Sequence, residues 1–127
     1  MKIVTLIARI LLGVVFLVFG LNGFLHFIPT GPMPTGLAGH FATALMESHY
    51  VLFVSAFQII GGLPLLINRY VPLGLTILAP VIVNILLFHI LLNRTGLGLA
   101  IVVAILWCIV FYRERQYFSS LFVQKTS

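Results

Sequence analysis

The stretch LGLTILAPVIVNILLFHILL, residues 73–92, carries no Asp, Glu, Lys or Arg. About 20 apolar residues span the hydrocarbon core of a bilayer as an α-helix, so this stretch predicts a transmembrane helix. Three more apolar runs, at about 3–27, 50–67 and 97–112, predict three further spans. Composition points the same way: 61% of the chain is hydrophobic, 7% is charged, and mean hydropathy is +1.22. A soluble domain carries about 25% charged residues, and disorder needs low hydrophobicity with high charge, so both classes are excluded. The 127 residues leave no room for a separate extramembrane domain. The expected fold is all-α, an integral membrane four-helix bundle forming one domain over residues 1–127.

The segments between the runs fit this plan. Pro29, Pro32 and Pro34, with Gly31 and Gly36, stop the first helix, because proline removes a backbone donor and fixes φ. From Leu37 to Glu47 a helical pattern returns. It is too short to span, and predicts an amphipathic helix at the interface in the first extracytoplasmic loop. Asn68 to Pro72 and Asn93 to Gly96 close the second and third spans. Residues 113–127 form a polar tail, with Phe118, Leu121 and Phe122 at helical spacing. Met1 and Lys2 before an apolar run resemble a secretory leader. The run continues to about Phe27, includes Arg9 and meets no A-x-A-like site, so a retained first span is expected.

The formal net charge is +5, but the basic residues are dispersed singly and form no nucleic-acid footprint. In a four-span arrangement Lys2, Arg9, Arg69, Arg113, Arg115 and Lys125 share one side, and Arg94 lies on the other. The positive-inside rule then places both termini in the cytoplasm. The lone Cys108 excludes an internal disulfide or dithiol cycle and is expected as a small buried hydrophobe. Gly13, Gly20, Gly61 and Gly62 are expected at close helix contacts.

Polar side chains in a span are costly and tend to face an interior or a water-filled cavity. Asn22, His26, Gln58, Asn84 and His89 all fall in the outer half of the predicted spans, and the first loop adds His40, Glu47 and His49. We expect Asn22, His26, Gln58 and Asn84 to line one outward-opening cavity between the first three spans, widened by kinks at Pro64 and Pro80. His89, about 140° around the helix from Asn84, is assigned to the rim. His40, Glu47 and His49 are rim or lid candidates. Interhelical hydrogen-bond glue is the alternative for the amides, and interfacial contacts for the histidines. No spacing suits a metal site. Arg9 and Glu114 are read as structural charges, with Arg9 snorkelling to the inner interface or pairing with Glu114.

The stretches ARILLG (8–13), FGLNGFLHF (19–27), QIIGGL (58–63), NRYVPL (68–73) and APVIVNILLFH (79–89) resemble the DoxX family of small bacterial four-helix membrane proteins. The likeness runs from the first span to the fourth. It implies a protein of the bacterial inner membrane and a link to redox chemistry, because the family name belongs to the membrane part of a thiosulfate:quinone oxidoreductase. Many relatives carry a carboxylate where this chain has Gln58, and the resemblance supplies no catalytic residues to transfer. The expected function is a redox-linked membrane component offering a pocket to a quinone or similar amphiphile, with no covalent cofactor. Any catalysis would need a partner subunit or cofactor to supply electrons. Two other functions stay open: a non-enzymatic accessory subunit or scaffold of a membrane complex, and a carrier of a small lipid-like molecule. The expected partners are membrane lipid, a redox-enzyme subunit and a second copy of the chain, with no nucleic acid.

Overall fold

The computed structural model describes residues 2–28 and 33–125; the part of the predicted chain break at residues 29–32, with Pro29, Gly31 and Pro32, and the end of the tail at 126–127 lie outside them. The described residues are all-helical, with no strand. Five α-helices follow in order: α1 (Lys2–Leu25), α2 (Gly36–Glu47), α3 (Tyr50–Ile67), α4 (Val71–Leu87) and α5 (Leu97–Glu114). A π-helical turn, Phe88–Leu92, extends α4, and a 3-10 helix, Arg115–Phe122, extends α5. With these extensions, α1, α3, α4 and α5 are long and apolar enough to cross a membrane. Most of their large apolar side chains face outward, as lipid-facing helices require.

The buried residues mark which faces meet. On α1, Ala8, Leu12 and Phe16 recur every fourth residue, and on α4, Val71, Leu75, Leu78 and Ile82 form one helical stripe. They close around Leu65 of α3 and Val103 and Val110 of α5. α1 packs on α3 and α5, and α4 packs on the same two helices. The close approaches are made where side chains are absent: a Cβ at Gly62 would lie 3.1 Å from the Gly13 carbonyl oxygen, and one at Gly20 would lie 2.8 Å from that of Ser55. With little hydrophobic force between helices in lipid, such backbone proximity supplies the dispersion contacts.

At one end of this packing two polar contacts and stacked rings hold the helix ends. The Arg9 guanidinium donates to the Leu65 carbonyl at the end of α3, a carbonyl that the helix terminus leaves short of its usual partner. The partner of Arg9 is therefore this carbonyl rather than Glu114. Trp107 Nε1 donates to the Leu75 carbonyl at 2.9 Å. Its ring stacks on Phe111 at 5.0 Å, and Phe111 meets the buried Phe118 of the 3-10 helix at 4.8 Å. The tail residue Phe118 thus joins the core. Cys108 is exposed, not buried as expected, because it lies on the outward face of α5 opposite the stripe of Val103 and Val110.

Candidate functional site

The other ends of the helices do not close on one another. They surround a cavity of about 370 Å³ lined by α1, α2, α3, α4, α5 and the π-turn. Its apolar wall includes Phe16, Phe19, Val51, Val54, Leu99 and Val103. Phe16 and Val103 also belong to the core, so they form the floor between the closed part and the open part. Five polar side chains face this space: Asn22, His26, Ser55, Gln58 and His89.

The first polar wall comes from the end of α1. Asn22 Oδ1 accepts the Ile28 N–H at 2.7 Å, which fixes the amide so that Nδ2 is the remaining donor. The His26 N–H bonds to the Asn22 carbonyl at 2.8 Å, and His26 itself has φ 52. A left-handed residue ends the helix there and turns the His26 side chain to the cavity mouth, where it is exposed. Asn22 therefore both ties down the helix end and lines the cavity.

Across from it, Ser55 and Gln58 stand three residues apart on α3, on one helical face. Ser55 is only 3% exposed, and its hydroxyl rests against Gly23 of α1, where any Cβ would collide with it. Ser55 is a polar lining residue the sequence reading missed. Its spacing from Gln58 was the available signal.

The third wall is the π-turn. π-turns inside α-helices occur often at functional sites. His89 Nδ1 lies 3.1 Å from the Asn93 carbonyl oxygen. A carbonyl only accepts, so the proton is on Nδ1, and Nε2 is left as the acceptor nitrogen of the neutral ring. Gly96, at φ 86, passes so close that a Cβ would sit 3.2 Å from His89 Cε1. Both the left-handed backbone and the contact favour glycine there.

Asn84 does not line the cavity. It is exposed, and its Nδ2 donates to the Pro80 carbonyl of its own helix at 2.9 Å. Ile85 and His89, four residues apart, supply the cavity face instead. The angular separation expected of Asn84 and His89 is consistent with this, but their assignments were reversed: His89 lines the wall and Asn84 points away. The cavity also takes a wall from α5, beyond the three spans expected, and neither Pro64 nor Pro80 lines it.

α2 lies over this end, with Phe41 against Phe88 at 5.4 Å. It lends Met46 to the lining, whereas His40, Glu47 and His49 are exposed and outside it. His49 instead occupies the left-handed position before α3, with φ 63. No group of three or more His, Cys, Asp or Glu residues could hold a metal ion among the described residues. The site can thus offer an apolar slot, amide and hydroxyl donors, the His89 imidazole as an acceptor, and a second imidazole, His26, at its mouth. Comparison with family models, curated proteins and solved structures gave no match.

Proposed function

We propose that the chain is a DoxX-like four-helix bundle of the bacterial cytoplasmic membrane, with both termini cytoplasmic and α2 in the outer interface. Its outward-opening cavity binds a quinone or similar amphiphile as part of a redox complex. The observation that carries this proposal is the mixed character of the cavity: Asn22, Ser55, Gln58 and His89 are set into an otherwise apolar wall. Such a slot with a few placed polar groups suits a flat apolar ring bearing polar oxygens. The Asn22 and Gln58 amides and the Ser55 hydroxyl can donate to quinone carbonyl oxygens, and His89 Nε2 can accept from a quinol hydroxyl. The electrons belong to a partner subunit, because a single cysteine cannot run a dithiol cycle.

Titration of the purified chain with a water-soluble quinone analogue tests the reading. Asn22→Leu and His26→Leu, made singly, should each weaken binding. Unchanged affinity in both removes the quinone. A second reading, an accessory scaffold, draws on the hydrogen bonds that Asn22 and His89 already make within the chain. Co-purification with a redox enzyme that survives both substitutions would favour it. Orientation is tested by single cysteines at Thr35 and Gln124 in a Cys108→Ala background. They should label from opposite faces of the membrane, and labelling from one face would overturn the topology.

A further inference from the structure

A second concavity lies on the outside of the helices, away from the cavity described above. It has a volume of about 650 Å³. One face of α5 forms most of it, through Ile101, Ala104, Ile105, Cys108, Ile109 and Tyr112, with Val4 of α1 and Leu86 of α4 completing the wall. Apart from the Tyr112 hydroxyl and the Cys108 thiol, the side chains that line it are hydrocarbon.

Its two ends differ. At one end, near Ile101 and Leu86, there is no charged side chain in the wall. At the other, the Arg115 guanidinium lies 4.1 Å from the centre of the Tyr112 ring and donates to the Tyr112 carbonyl. Among the described residues this bond uses one N–H of the guanidinium, which has four more to offer an acceptor. Arg113, exposed, follows the lining residue Tyr112 in the chain, and Lys2, also exposed, lies two residues before the lining residue Val4. Within three residues of the lining residues Val4 and Tyr112 the chain thus carries three cations against one carboxylate, Glu114. From Ile101 to Tyr112 the groove follows α5 for about 16 Å, close to half of the ~30 Å hydrocarbon core of a bilayer. That is the depth of one leaflet.

We infer that this groove is a binding site for an anionic phospholipid: one acyl chain lies along α5 from Tyr112 to Ile101, and the phosphate is held by Arg115 with Arg113 and Lys2. A basic rim above an apolar intramembrane groove is the chemistry that selects an anionic headgroup. Guanidinium is suited to phosphate because its planar fork can bond two oxygens at once. The inference rests on the membrane-spanning reading and is independent of the quinone cavity.

Native mass spectrometry of the detergent-solubilised full chain, given phosphatidylglycerol and phosphatidylcholine in equal amounts, tests it. Phosphatidylglycerol should be retained preferentially. Arg115→Gln, a change at an exposed position, should lower that preference about fivefold. Cys108→Phe, which fills the groove from an outward-facing position, should remove the bound lipid. Asn22→Leu should leave lipid retention unchanged, which separates this site from the cavity. Equal retention of the two lipids, or an unchanged preference in Arg115→Gln, would overturn the inference. So would rapid Cys108–Cys108 cross-linking of the chain in lipid nanodiscs, which would assign the groove to a second copy.

Discussion

The region around Leu12, Leu65 and Leu75 and the region around Asn22, Gln58 and His89 are built from the same four long helices, yet one is closed and the other encloses a cavity. In the closed region Leu12, Leu65 and Leu75 are fully buried, and Arg9 and Trp107 bond to carbonyls of the helices opposite. In the open region the polar side chains bond to backbone within their own helix or the loop that follows it: Asn22 to Ile28 and His89 to Asn93. The difference separates two uses of polarity in an apolar chain. Bonds between helices fix the packing, whereas bonds within one segment hold a side chain in place and leave the space in front of it vacant.

The contrast breaks first under the same chemical change made in both regions. Leu65→Ala should destabilise the protein by about 2–5 kcal/mol, because a void opens where nothing can relax into it. Leu99→Ala, on the half-exposed cavity wall, should cost less than about 1 kcal/mol. Thermal unfolding in detergent reads both, and equal losses would erase the distinction.

Next in size is the link between helices at the closed end. Arg9→Leu leaves the Leu65 carbonyl without its donor and should cost about 1–3 kcal/mol. Arg9→Lys should keep a larger share of the stability, without any change in ligand binding. If Arg9→Leu were as stable as the unchanged protein but lost ligand binding, the residue would belong to the site.

Gly96→Ala sharpens the open side of the comparison. It places a Cβ at a left-handed position and against the His89 ring. The cost should be about 1 kcal/mol, together with a changed His89 imidazole signal in NMR. An unmoved His89 signal would show that the ring is not held by this contact. The smallest effect belongs to Asn84→Leu, expected within about 0.5 kcal/mol and silent in ligand binding. Loss of binding there would return Asn84 to the site.

The sequence was most legible where a period or a breaker sets the answer. The second span, read as 50–67, coincides with α3, since it lies between His49 and Asn68, both left-handed in the fold. The third is expected from Leu73, two residues late, because Pro72 reads as a stop; at the second helical position it costs no hydrogen bond. Asn22, His26 and Gln58 were legible as cavity residues because polar groups within long apolar runs stand out. Asn84 stood out equally, and composition alone could not show that its amide would bond to the carbonyl four residues back. His89 was misjudged for the complementary reason. Which face of a helix meets the cavity is decided by how the helices pack, and neither the π-turn nor the approach of Gly96 has a signature in the local sequence. The partner of Arg9 and the exposure of Cys108 are likewise long-range outcomes of packing.

The most direct test is equilibrium binding of one quinone analogue to the unchanged protein and to Gln58→Leu and Asn84→Leu, which differ in whether the amide faces the cavity. Each protein would be checked for an intact fold by thermal unfolding. Gln58→Leu should weaken binding by about tenfold, the loss of one hydrogen bond at a desolvated site, and Asn84→Leu should bind as the unchanged protein does. Equal affinity in all three, or a greater loss in Asn84→Leu, would contradict the assignment of the cavity as the ligand site.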